Sequence, residues 1–292
     1  MIGDDVALRL GTRTFGPGEY AVMAIVNRTP DSFYDDGATF ALDAALERVA
    51  TVVGEGADIV DIGGVPAGYG THVSASEELR RTAELVTQVR EAFPDLVVSV
   101  DTWRAEVAEE LCRRGADLLN DAWAGADPEV AVVAARHGTG LVCSHTGGLR
   151  PRTDPHRAAY DDVVADVVAA TTDLAQRAVA CGVRTDGILI DPTHDFGKNT
   201  YHSLELTRRL GELVATGWPV LVALSNKDFV GETLDLPAQE RLSGTLAAVT
   251  VSAWQGARVY RAHQVRETRQ ALDMVASIQD LRPPAVARRG LA

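Results

Sequence analysis

The chain is short of basic residues, of cysteine and of aromatics, and it holds no long apolar run. Lys and Arg number 28 against 41 Asp and Glu, a formal net charge of -13. A surface of that sign repels nucleic acid and anionic membranes, so neither is an expected partner, and an anionic ligand must meet a local positive pocket. The three cysteines, Cys112, Cys143 and Cys181, are odd in number, far apart and without metal-ligand spacing, which predicts a reduced, cytoplasmic protein. No stretch reaches the roughly 18 apolar residues of a membrane span, and the opening MIGDDVALRL lacks the basic start and apolar core of an export signal. Disorder is excluded for most of the chain by a 46% hydrophobic content with 24% charged residues.

What is present is an alternation. Short runs rich in Val and Ile fall at residues 21–26, 58–62, 96–100, 117–120, 140–144, 187–190, 220–224 and 257–261. Amphipathic stretches follow them, near 41–54, 76–92, 104–114, 128–137, 159–181, 203–215, 239–255 and 264–278. Continuous apolar strands alternating with amphipathic stretches mark parallel strands buried on both faces by helices. Eight such units predict a single-domain α/β fold of the (β/α)8 TIM barrel type, which needs roughly 250 residues. The barrel is expected over 21–280, after a lead-in of 1–20 and before a mobile tail of 281–292. An open doubly wound sheet would place a glycine-rich phosphate turn after the first strand, and NRTPDSF is not one.

In such a barrel chemistry collects where strands end. The closing residues are Asn27, Asp61, Asp101, Asn120 with Asp121, His145, Asp191, Lys227, and Arg261 with His263. Asp101, Asn120 and Asp191 can meet the donor and acceptor edge of a flat heterocycle, since a carboxylate accepts two donors and an amide does both. Lys227, Arg261 and His263 supply positive charge, and Asn27 adds an amide for an anion or a metal-bound water. A heterocycle carrying phosphate fits that set. Asp61 is as well explained by the turn at Gly63 and Gly64 as by function. His145 reads as a structural residue, His194 and Asp195 as a solvated loop, and Cys143 as a small buried hydrophobe.

MAIVNRTPDSFYDDG, DIVDIGG, VSVDTWRAEVAEELCRRGADLLND, LIDPTHDFGKN, LVALSNKDFVGE and the closing ERLSGTLAAVTVSAWQGARVYRAHQV occur in order over about residues 21–279. Together they resemble the dihydropteroate synthase family. The resemblance implies a pterin held by Asp101, Asn120, Asp191 and Lys227, with Lys227 and Asp101 in the catalytic role. It implies a diphosphate held by Asn27, Arg261 and His263, Mg²⁺ beside Asn27, and a homodimer through the later helices. The family reaction joins p-aminobenzoate to 6-hydroxymethyl-dihydropterin diphosphate with loss of diphosphate, a step of folate biosynthesis.

The departures cluster at the amine side. Where the family has G-G-E-S-T-R-P-G, this chain reads GGVPAGYG, with Val65, Pro66 and Ala67 in place of acidic, hydroxyl and guanidinium groups. Where it has S-R-K-S, this chain has Asn226 and Asp228 about Lys227. These changes resemble the divergent second paralogue of actinobacteria, which is poorly active or inactive. The resemblance therefore implies a retained pterin pocket and a weak or lost reaction with p-aminobenzoate. A non-catalytic pterin-binding protein and a transferase using another amine are the alternatives. A methyltetrahydrofolate-binding domain is disfavoured, because that ligand lacks the diphosphate that NRTPDSF and the RAH after the last strand are suited to hold.

Overall fold

The computed structural model describes residues 7–29, 40–68, 70–153 and 159–290. Eight strands pair in parallel: β3 (Ala21–Asn27), β4 (Ile59–Gly63), β5 (Val97–Asp101), β6 (Leu118–Asp121), β7 (Gly140–Ser144), β8 (Ile188–Asp191), β9 (Leu221–Ala223) and β10 (Val259–Ala262). Their order is β8-β7-β6-β5-β4-β3-β10-β9, and a parallel bridge from Ile190 to Val220 joins β8 to β9, closing the barrel. All eight expected strands are present, within two residues at each end.

The helices lie outside, at α1 (Leu42–Gly54), α2 (Ala75–Ala92), α3 (Ala105–Arg113), α4 (Glu129–His137), α5 (Val163–Ala180), α6 (Thr200–Arg208), α7 (Gly211–Val214), α8 (Asp228–Leu234), α9 (Leu242–Trp254) and α10 (Val265–Ile278). Two features depart from the expected pattern. The stretch 203–215 is two helices, its first turn moved back to Thr200 because Asn199 and His202 cap it reciprocally. The short α8 was hidden because seven residues are too few to show an apolar period.

Alternation along the strands divides the buried residues into two shells. Val22, Val60, Val98 and Leu119 point outward against the helices, while Met23, Ile59, Val97, Leu118, Val142, Leu189, Leu221 and Val259 fill the barrel floor. A hairpin precedes the barrel, β1 (Leu8–Leu10) against β2 (Arg13–Phe15), and its Leu8, Leu10 and Phe15 join that floor. A Cβ on Gly140 would come within 2.6 Å of the Leu10 side chain, so glycine leaves room for this plug. With the floor sealed by apolar groups, polar side chains are confined to the opposite end, the mouth.

Candidate active site at the barrel mouth

Asp61 is the hub of the mouth. It is fully buried on β4, and its two oxygens accept from Ser99 Oγ at 2.6 Å, Asn120 Nδ2 at 3.0 Å and Arg261 Nε at 2.6 Å. The turn reading of Asp61 is therefore replaced: its carboxylate binds side chains of three other strands. Arg261 also donates to Asp101 Oδ2 at 3.2 Å, so Asp61, Asp101, Asn120 and Arg261 form one network. Burial, reinforced by the charge on Asp61, pushes the Asp101 carboxyl up to about 7. Asn120, tied through its Nδ2, keeps a carbonyl oxygen with no donor among the described residues.

Across the mouth, Asp191 closes β8. One of its oxygens accepts the Thr193 amide at 2.7 Å; the other has no hydrogen bond among the described residues. Burial pushes its carboxyl up to about 6, against the pull of the Thr193 amide and of Lys227, Lys198 and Arg261. Lys227 donates to His194 O at 3.0 Å and lies 4.5 Å from the centre of the Phe196 ring. Its ammonium is lowered from the ordinary lysine range by burial, the carboxylates of Asp195 and Asp191 opposing.

The three residues expected at the phosphate stand on β3 and β10. Asn27 ends β3, and a Cβ on Gly63 would come to 3.0 Å from its Oδ1, so the glycine turn makes space for that amide. His263 follows β10, with Nδ1 3.1 Å from Ser225 Oγ, and its carbonyl accepts Arg48 Nη2 at 2.6 Å. Residues 30–39 of the first loop, which include most of the TPDSFYDDG motif, lie outside the described residues.

Around the expected amine side, Val65 and Pro66 are half-buried and Ala67 is exposed, and none brings a charged group. The loop they belong to is tied instead to the β7 loop, Arg152 donating to Gly68 O at 3.0 Å and Thr71 O at 2.6 Å. Asn226 is buried at φ +56°. Asp228 is 71% exposed and pairs with Arg241 at 2.9 Å, the same Nη1 donating to Asn226 O. Gly231 admits this guanidinium, since a Cβ there would stand 2.3 Å from it.

Sequence reasoning missed Lys198, whose Nζ donates to the carbonyls of His145, Thr193 and Phe196 and whose ammonium is brought down to about 7 by burial. Its signal, a lysine in the polar loop PTHDFGKN, resembles that of any solvated one. His194 is a correction: it is fully buried, stacked on Phe229 and 3.1 Å from Thr207 Oγ1. His145 is buried and bonds Asp166 Oδ1 through Nε2 at 2.7 Å, and Cys143 is buried with its thiol pushed up to about 12.

The pattern of the pterin binding enzyme family matches residues 23–263. The inactive dihydropteroate synthase 2 of Mycobacterium leprae is 57% identical to this chain over 275 residues, covering 93% of the chain and 94% of that relative. The dihydropteroate synthase of Escherichia coli K12 is 36% identical over 255 residues, 87% of this chain and 90% of that enzyme. The structure of Yersinia pestis dihydropteroate synthase with a sulfonamide drug superposes with a TM-score of 0.89 at 34% identity, covering 94% of this chain and all of that one.

Proposed function

Because the chain belongs to the dihydropteroate synthase family of pterin-binding enzymes, we propose that its mouth binds 6-hydroxymethyl-dihydropterin diphosphate, and that condensation with p-aminobenzoate is weak or lost. The observation that carries the first half is Asp191: a buried residue one of whose carboxylate oxygens accepts no hydrogen bond among the described residues, in a mouth that also holds Asn120, Asp101 and Lys227. Such an oxygen accepts the N–H edge of a pterin, the Asn120 carbonyl accepts a further donor, and Lys227 donates to a ring acceptor. Arg261 and His263 bind the diphosphate through their N–H groups, Arg261 exchanging its bond to Asp101 for a phosphate oxygen.

Mg²⁺ fits this donor set. Among the described residues no three His, Cys, Asp or Glu gather as metal ligands, and Mg²⁺ takes few protein ligands, completing its shell with phosphate and water. Asn27, at the end of β3, is the residue that would hold the ion. When bound, the ion offsets the charge on the departing diphosphate. As that group leaves, positive charge grows on the pterin, and the negative charge of Asp61, Asp101 and Asp191 stabilises it.

The second half rests on the amine side. Val65, Pro66 and Ala67 offer no side-chain donor to an amine substrate's carboxylate, and Arg241, the guanidinium beside Asn226, is occupied by Asp228. That pairing offsets the charge of Asp228 and makes this carboxylate a competitor for Arg241. The Mycobacterium leprae relative, named inactive, supports the same reading. We further propose a homodimer through α9 and α10, where Val251, Trp254, Met274 and Ile278 are exposed apolar side chains. The test of turnover is steady-state synthesis with saturating pterin diphosphate, Mg²⁺ and p-aminobenzoate. Product at the rate of an ordinary synthase would overturn the reading.

A further inference from the structure

Lys198 is buried between the loops that follow β7 and β8, and no carboxylate among the described residues hydrogen-bonds its ammonium. Its three hydrogens go instead to backbone carbonyls, His145 O at 3.0 Å, Thr193 O at 3.2 Å and Phe196 O at 2.9 Å, which is every donor it has. The carboxylates around it are engaged elsewhere, Asp191 by the Thr193 amide, Asp166 by His145 Nε2, and Asp195 by Ser203 Oγ and the Phe229 amide. A lysine is almost never buried unless it is paired, so a charge spent on carbonyls points to a task.

The backbone that Lys198 holds is strained and tightly packed. Thr193 and Asp195 lie at φ +53° and +69°, in the left-handed region that residues with a side chain disfavour. Gly197 follows at φ +61°, and a Cβ there would collide with Thr146 O, so the two loops touch backbone to backbone. The held carbonyls belong to residues that shape the mouth. Thr193 gives its amide to Asp191 at 2.7 Å, and the Phe196 ring lies 4.5 Å from the Lys227 ammonium. His145, the third, gives its amide to Thr193 Oγ1 at 3.0 Å. One ammonium thus ties the hydrogen-bond donor of Asp191 to the ring beneath Lys227.

We propose that Lys198 is a positioning residue of the barrel mouth, its ammonium orienting Asp191 through Thr193 and Lys227 through the Phe196 ring. The assignment rests on the pterin reading of the same mouth and adds a regulation by pH. Burial brings the ammonium down to about 7, Asp191, Asp195 and Asp166 opposing and Lys227 reinforcing. The other titratable groups around it are His194 beside Thr193, His145 after β7 and His202 on α6, all lowered by burial and neutral at pH 7. Tyr160, which donates to Gly197 O, is pushed up to about 12 and keeps its proton. As pH rises through about 7, Lys198 loses its proton, one of the three carbonyls loses its donor, and Asp191 loses a charge that favours its ionised form. This group therefore supports pterin binding fully below that range and less above it, the side opposite to the loss caused by protonation of Asp191.

The test is calorimetric titration of the full chain with 6-hydroxymethyl-dihydropterin, used without its diphosphate so that phosphate ionisation does not enter the profile. Wild-type affinity is expected to fall about tenfold between about pH 7 and 8.5. Lys198→Arg carries a guanidinium that does not titrate there, so it should lose this decline whatever its absolute affinity. Lys198→Met should bind about tenfold more weakly near pH 6.5. In its ligand-free form the Asp191 carboxyl, followed by carbon NMR and assigned with Asp191→Asn, should titrate above its wild-type midpoint. A level wild-type profile above pH 7, a decline that persists in Lys198→Arg, or an Asp191 midpoint unmoved in Lys198→Met would overturn the proposal. Lack of binding by the wild type at every pH would overturn the pterin reading instead, and the Asp191 midpoint, read without ligand, would still decide whether Lys198 acts on it. The wild-type profile and Lys198→Arg keep the test valid should Lys198→Met fold poorly.

Discussion

Arg261 of β10 and Asp61 of β4 meet across the intervening β3, Nε to Oδ2 at 2.6 Å. Asp61 is fully buried, and removing one partner of such a pair leaves a charge uncompensated, at a cost on the order of 3 to 5 kcal/mol. Arg261 keeps its bond to Asp101, so the lower end applies. Asp61→Asn is expected to lower stability by about 3 kcal/mol in urea unfolding. A loss under about 1 kcal/mol would mean that the pair is not what holds Arg261 in the mouth.

The Asp191 carboxyl, pushed up to about 6 by burial, gives pterin binding a pH dependence. The ionised form accepts the ligand's N–H groups, so affinity should fall about tenfold per pH unit below 6. Stability moves the opposite way. Between the ordinary aspartate range near 4 and about 6, the folded chain holds a proton that the unfolded chain has released, so this group's contribution declines as pH rises through that window. Pterin affinity measured between pH 5 and 8 checks the first statement; a flat profile in the wild type contradicts it.

The barrel was legible because its strands are buried on both faces and its helices on one, and both patterns show in the sequence. The polar mouth was legible for a related reason, since Asp101, Asn120, Asp191 and Arg261 each end or follow an apolar run. Partnership was not. That Asp61 would bind Ser99, Asn120 and Arg261 depends on the closure of the barrel, which brings together residues as many as 200 positions apart. His194 misled because a polar loop sequence gives no sign that Phe229 and Thr207 will enclose it. The hairpin plug escaped because three-residue strands carry too short a period to detect.

Trp254 is 60% exposed on α9 beside Val251, with Met274 and Ile278 on α10. In the proposed dimer these side chains are buried, and a charge there is not tolerated. Trp254→Glu should sediment as a monomer with its fold intact by circular dichroism. A wild type that is already monomeric at about micromolar concentration would remove the proposal.

Asp228 holds Arg241 at 2.9 Å while 71% exposed, and exposed pairs contribute at most about 1 kcal/mol. Asp228→Ser should therefore improve p-aminobenzoate affinity by no more than about fivefold, since the second loop still lacks its donors. Equilibrium binding in the presence of pterin diphosphate measures it. Full synthase activity from this single change would show that the second loop is dispensable.

The proposed function stands on a pterin diphosphate site anchored on Asp191. Calorimetric titration of that ligand with Mg²⁺ into the wild type and Asp191→Ala tests it most directly. Loss of one charge-assisted hydrogen bond costs about 1.5 to 3 kcal/mol, so tight binding by the wild type and affinity reduced tenfold or more in the folded variant are expected. No binding by the wild type, or equal affinity in the two, would contradict it.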